Sequence, residues 1–145
     1  MYKRVYFDTN VIVDLFDKSR VNHKFSVDVF QTILENDEIE VFINSDTMTN
    51  LFYILRNHAK FSFDKSLEKL EFIKEIFTIQ SPNKPLIELA LDICKKHIFK
   101  DYEDCLQFVC AMEAKCSLII TNNPKDFKNS SIDVITSKEL AQLFN

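Results

Sequence analysis

The sequence contains no glycine. A glycine-rich phosphate loop is therefore excluded, and with it nucleotide binding through a Walker-type or dinucleotide fingerprint. Turns and helix ends have to be built from Asn, Asp, Ser and the three prolines. A basic excess is also missing. The net charge of −4 argues against a protein that coats nucleic acid nonspecifically, though not against a nuclease with local basic patches. The four cysteines, Cys94, Cys105, Cys110 and Cys116, lack the spacing of zinc ribbons and redox pairs. All fall in apolar helical patterns, so reduced core thiols of a cytoplasmic protein are expected. Apolar runs such as "VIV" and "SLII" are far too short for a signal peptide or a membrane span. Repeats, linkers and low-complexity tracts are absent. The 145 residues suffice for one domain, 1–145, with a sizeable core.

What is present is an alternation of short apolar strands with helical patterns. Residues 3–8 read as a buried strand and 9–17 as a short helix capped by Thr9 or Asn10. Residues 22–35 carry Phe25, Val29, Phe30, Ile33 and Leu34 at helical spacing. A second strand, 40–44, precedes a helix capped by Ser45 or Asp46, with Met48, Leu51, Phe52 and Leu55 on its core side. Residues 63–75 form a helix facing the core through Leu67, Leu70 and Ile73, and 76–80 a third strand. After Pro82 and Pro85 comes a helix with Leu86, Ala90, Ile93, Cys94 and His97 on one face. Residues 101–115 predict a central helix, apolar on most sides. Strands at 117–121 and 132–136 follow, and Ser137 caps a closing helix. Such alternation predicts a parallel sheet covered on both faces, with its ligand site at the carboxyl ends of the strands.

Asp8 sits at such an end, inside "VYFDTNVIVDLF". A carboxylate between two apolar segments needs a partner. Three other polar places can join it: "DYEDC" at 101–105, "TNNPKDF" at 121–127, and Asn50. Oxygen ligands converging from strand ends suit Mg²⁺ or Mn²⁺, and a hard cation there implies metal-assisted phosphodiester hydrolysis. Simpler roles exist for each piece. Asp101 can be an N-cap and Asp104 can gain from the helix dipole. Asn122 and Asn123 before Pro124 can form a turn, and Asn50 can be an exposed helix residue. Asp14 and Asp17 read as solvated helix-end charges, and His23, His58 and His97 as surface or satisfied core residues. The basic stretches 18–24 and 56–60 can either flank the site or be solvated helix ends.

Taken in order, "FDTN", "DYEDCLQ" and "IITNNPKDF" resemble the PIN-domain nucleases over essentially the whole chain, most closely the VapC-type toxins of bacterial toxin–antitoxin pairs. The resemblance implies a three-layer α/β fold with a mostly parallel five-stranded sheet. It implies a Mg²⁺- or Mn²⁺-dependent endoribonuclease acting on RNA, held in check by an antitoxin and forming a homodimer. By position, Asp8, Asp104 and Asp126 match the family's metal-binding acids. Asn50 falls where a glutamate is usual, Asn123 where many members have an aspartate, and Asn122 where an arginine is common. Two expected charges are thus neutral amides, for which Asp101 or Glu103 can compensate. A second class follows from those amides: a catalytically weak or inactive PIN module that binds RNA or a protein partner. Phosphoryl transfer as in haloacid-dehalogenase-like phosphatases requires a second acid two residues after the nucleophile, where this chain has Asn10.

Overall fold

The structure, a computed structural model, describes residues 2–144. Its elements are β1 (Arg4–Phe7), α1 (Thr9–Phe16), α2 (His23–Glu35), β2 (Glu40–Asn44), α3 (Ser45–Asn57), α4 (Phe63–Ile76) and β3 (Thr78–Gln80). They continue with α5 (Lys84–Lys95), α6 (Tyr102–Glu113), β4 (Leu118–Ile120), a 3-10 turn over Pro124–Phe127, β5 (Asp133–Ile135) and α7 (Ser137–Phe144). The strands pair in the order β3-β2-β1-β4-β5, and every pairing is parallel rather than most of them.

Side chains alternate across a strand, so the apolar run of β1 feeds two cores. Val5 and Phe7 face one side with α1, α2, α3, α4 and α7; Tyr6, with Phe42 and Ile119, faces the other beneath α5 and α6. Phe7 is fully buried and meets Phe30 and Phe77 edge to face, with centroids 5.5 and 5.1 Å away. Burying one such side chain contributes about 1.5–3 kcal/mol. The four cysteines are free. Burial pushes the thiols of Cys105 and Cys116 up to about 12 and that of Cys110 up to about 11, so they stay protonated and pack as small apolar groups. No helix is long and apolar enough to cross a membrane among the described residues.

Several expected details are corrected. Asp8, not Thr9 or Asn10, precedes α1 as its cap residue, and its side chain makes no capping bond. Asn44, not Ser45 or Asp46, caps α3: its Oδ1 accepts from Thr47 N at 3.1 Å while its Nδ2 donates to the Tyr6 hydroxyl at 3.0 Å. Thr136 rather than Ser137 caps α7, through a reciprocal pair with Glu139. The third strand begins later than expected because Phe77 lies one turn beyond Ile73 and its N–H still bonds Ile73 O. Leu34 and Leu67 are exposed although they share the helical spacing of core residues, and His97 lies beyond α5 and is exposed.

The missing glycines leave a mark. Lys60, His97 and Lys115 adopt left-handed backbone (φ 61°, 56° and 58°) just beyond helices, where glycine is usual. After α6, Lys115 N bonds Met112 O and Cys116 N bonds Ala111 O, each at 2.9 Å, which is a Schellman closure formed by a residue with a Cβ. That conformation costs roughly 1–2 kcal/mol for a non-glycine residue. Lys115→Gly is therefore expected to stabilise the protein by about 1 kcal/mol, and Lys115→Val to destabilise it, in urea unfolding followed by circular dichroism.

Candidate active site

From β1 the chain builds β2 and then β3 on one side, and later returns to place β4 and β5 on the other. The order reverses between β1 and β4, which opens a crevice at their carboxyl ends. Asp8 follows β1 and Thr121 follows β4, so both stand at this point; Asp8 N continues the pairing with a 2.9 Å bond to Ile120 O. The Asp8 side chain is turned inward instead of capping α1. Its Oδ1 accepts from Gln107 Nε2 at 2.9 Å and its Oδ2 from Thr121 Oγ1 at 2.7 Å. Asp8 is only 6% exposed. Burial raises its carboxyl pKa, and repulsion from Asp126 adds to this, against the hydrogen bonds from Thr121, Gln107 and the Thr9 backbone.

A cavity of about 460 Å³ opens over Asp8, and Asn50, Asp101, Glu103, Asp104 and Asp126 contribute to its wall. Asp101 is the N-cap of α6, its Oδ1 accepting from Glu103 N at 2.7 Å. That bond ties Asp101 to the helix start, and Glu103 and Asp104 stand beside it at the cavity. Burial, then Asp8, Asp126, Asp101 and Glu103, push the Asp104 carboxyl up to about 7. Acids in the first turn of a helix are normally favoured in their charged form; here desolvation and crowding by like charge outweigh the helix field. Glu103 is raised for the same reasons, burial first and then Asp8 and Asp101, while a hydrogen bond with Asn50 opposes the shift.

The residues singled out from the sequence are thus distributed unequally. Asp8, Asn50, Asp104 and Asp126 share the cavity wall. Asn123 stands behind it: its Nδ2 donates to Asp126 Oδ2 at 2.6 Å and its backbone N bonds Thr121 Oγ1 at 3.0 Å. Between the two candidate compensating acids, Asp101 is engaged as a cap and Glu103 faces Asn50. Asp14, expected to be a solvated helix-end charge, is instead 2% exposed, paired with Arg20 and bonded by Asn122 Nδ2. Arg20 reaches the cavity wall from the 18–24 stretch; no residue of 56–60 contributes to it. Gln107 and Thr121 lie within the stretches "DYEDCLQ" and "TNNPKDF", but nothing in their residue types marks either as a site residue. The only signal was that Gln107 lies three residues after Asp104, on the same face of α6.

The donor set is oxygen throughout, which suits Mg²⁺ or Mn²⁺. None of Asp8, Glu103, Asp104 and Asp126 is ion-paired among the described residues, and the carboxylates repel one another. A hard cation answers that charge. Among the described residues no three carboxylates already close into a cage. Mg²⁺ needs none, since it keeps several waters and takes one or two carboxylates. The residues therefore fit the ion.

Comparison with known proteins agrees with this fold. A family model described as "PIN domain" matches residues 4–125. The chain is 35% identical to Ribonuclease VapC1 of Aquifex aeolicus over 144 residues, which are 99% of this chain and 96% of that protein. Its fold resembles that of VapBC2 from Rickettsia felis, solved bound to a promoter DNA fragment, with a TM-score of 0.68 at 18% identity over 92% of this chain and 98% of that one. It also resembles VapC20 of Mycobacterium tuberculosis, described as a sarcin-ricin loop cleaving toxin, with a TM-score of 0.65 at 11% identity over 79% and 86% of the two chains.

The charge of the cavity has a consequence for stability. The folded chain holds a proton on Asp104 up to about pH 7, whereas the unfolded chain releases it near the ordinary carboxylate value. Between those values the folded state binds more protons, so this group's contribution to stability falls as pH rises. In EDTA, the melting temperature is expected to decline between about pH 4 and pH 7 less steeply in Asp104→Asn than in wild type. Parallel curves for the two proteins would remove Asp104 from the crowded carboxylates.

Proposed function

Because the chain belongs to the PIN-domain family, we propose that it is a Mg²⁺-dependent endoribonuclease, with Mn²⁺ able to serve, and the toxin of a toxin–antitoxin pair. The observation that carries this reading is the convergence of Asp8, Glu103, Asp104 and Asp126 on one cavity at the switch point of the sheet, with no basic side chain paired to any of them among the described residues. The naming of a relative that is 35% identical as a ribonuclease supports RNA as the substrate, and the solved VapBC2 complex supports an antitoxin as the partner. A cytoplasmic homodimer completes the reading.

Asp8, Asp104 and Asp126 would hold the cation, directly or through its waters, with Glu103 as the fourth acid of the wall. When bound, the divalent ion supplies an activated water and offsets charge on the phosphodiester. The chain's own residues prepare the site. Gln107 and Thr121 fix both oxygens of Asp8, so little orientational freedom is left to lose. Asn123 does the same for one oxygen of Asp126. Glu103 answers the charge that Asn50 lacks: the acid stands on α6 and shares the cavity wall with Asn50 of α3. The antitoxin is proposed to cover this cavity with a basic side chain reaching the carboxylates.

Asp8→Asn tests the reading directly. It is expected to abolish divalent-dependent RNA cleavage and growth arrest on expression, while raising the melting temperature in EDTA, since a buried charge is removed at nearly constant volume. Equal cleavage by mutant and wild type would sink the mechanism, and cleavage by neither, with harmless expression of folded protein, would favour a binding module. The division of charge across the cavity has its own test. Glu103→Gln is expected to weaken Mn²⁺ binding by about tenfold in calorimetric titration, and adding Asn50→Glu to recover most of the loss. If the double variant binds no better than Glu103→Gln, position 50 lies outside the ion's reach.

A further inference from the structure

A second cavity, of about 380 Å³, opens beside the acidic one. Four asparagines line it (Asn10, Asn22, Asn122 and Asn123) together with Arg20 and Val21. Asn10 and Arg20 belong to the walls of both cavities, so the two are contiguous. Their chemistry differs sharply. The first is lined by repelling carboxylates. The second contains one acid, Asp14, and that acid is already answered: Arg20 Nε and Asn122 Nδ2 bond its two oxygens. His23 Nδ1 lies 2.8 Å from the Asp14 backbone oxygen and ties the same turn to the start of α2.

This wall is built, not incidental. Asn122 Oδ1 accepts from the backbone N and Oγ of Ser137 at 3.0 and 2.7 Å, and Ser137 is fully buried. Asn122 N donates to Asn10 Oδ1 at 3.2 Å. Asn122 is therefore spent on structure, whereas Asn10 keeps its amide nitrogen as a donor. Asn22 makes no capping bond with its side chain although it stands at the amino end of α2. Arg20 commits Nε to Asp14 and retains the N–H groups of its two terminal nitrogens, on a side chain that is 41% exposed. Val21, 90% exposed, adds an apolar surface at the lip.

Amides offering donors and acceptors match the polar edges of a base, an exposed apolar side chain suits its face, and a guanidinium fork suits phosphate. A polymer whose phosphodiester sits over Asp8 must also place the next nucleotide close by, and this is the adjoining space that does not repel it. We infer that the amide-lined cavity is a nucleotide subsite: it receives the nucleotide next to the cleaved phosphodiester, and Arg20, in the shared wall, holds the phosphate between them. The inference rests on the ribonuclease reading and extends it to how the strand is gripped. Asp14 acts as a positioning residue, since it fixes Arg20 without touching RNA.

Removing Arg20 outright would strand the buried Asp14 charge and could unfold the chain, so the test uses milder changes. Asn22→Ala with Val21→Ser, and separately Arg20→Lys, are titrated with a single-stranded RNA oligonucleotide made uncleavable by bridging methylene-phosphonate linkages, whose P–C bonds water does not hydrolyse, in Mn²⁺, by fluorescence anisotropy. Each is expected to weaken RNA binding by roughly tenfold. Mn²⁺ affinity measured by calorimetry without RNA should be unchanged in the Asn22/Val21 variant. Unaltered RNA affinity in both variants would overturn the subsite while leaving the ribonuclease reading intact. A parallel loss of Mn²⁺ affinity and thermal stability in the Asn22/Val21 variant would assign the residues to structure and overturn it as well. If wild type in Mn²⁺ cleaves no RNA, the ribonuclease reading falls and the subsite with it.

Discussion

The Asp8 carboxylate is buried at the carboxyl end of the central strand, and the rest of the cleft is arranged around that burial. Desolvating an ionised carboxylate costs several kcal/mol. Two side-chain hydrogen bonds, from Gln107 on α6 and from Thr121 after β4, each offset on the order of 1.5–3 kcal/mol of it. What is not offset remains as a raised pKa, and repulsion from Asp126 in the 3-10 turn adds to it. A divalent cation, as proposed, would answer the negative charge left unbalanced in this crevice.

A second buried aspartate shows the opposite solution. Asp14, on α1, is as deeply buried as Asp8, yet its charge is met by Arg20 and its second oxygen by Asn122. Partial neutralisation on one side and full neutralisation on the other divide the crevice into two adjoining spaces of different character. The link between them is short: Asn122 and Asn123 follow Thr121 directly, and one reaches towards Asp14 while the other reaches Asp126. A single turn after β4 thereby sets the orientation of both spaces.

The lack of glycine shapes how these parts are held. Side chains do the work of closing helices: Asn44, Ser62, Asn83 and Asp101 each accept from a backbone N–H at a helix start. The Asp101 cap has a functional consequence, since it fixes the start of α6, and with it Glu103 and Asp104, at the cavity wall. At the other ends, lysine and histidine accept a left-handed backbone that glycine would adopt at no steric cost.

Much was legible in the chain itself. The order of strands and helices, the parallel sheet and the position of Asp8 at a strand end followed from apolar periodicity and from runs such as "VYFDTN", because each is encoded in neighbouring residues. Caps fall a residue away where a buried asparagine or a half-buried threonine outcompetes the residue next to it, as Asn44 and Thr136 do. Exposure of Leu34 and Leu67 was not legible either, since helical spacing does not say where a neighbouring element ends. By itself, then, the sequence determined the elements, their alternation and the types of side chain available at the strand ends. Only the tertiary structure decided which of those side chains meet: Gln107 and Thr121 on Asp8, Glu103 opposite Asn50, Arg20 on Asp14. Those pairs are separated by up to 113 residues, and contact at that distance arises from the order in which strands take their places in the sheet, which no local pattern records.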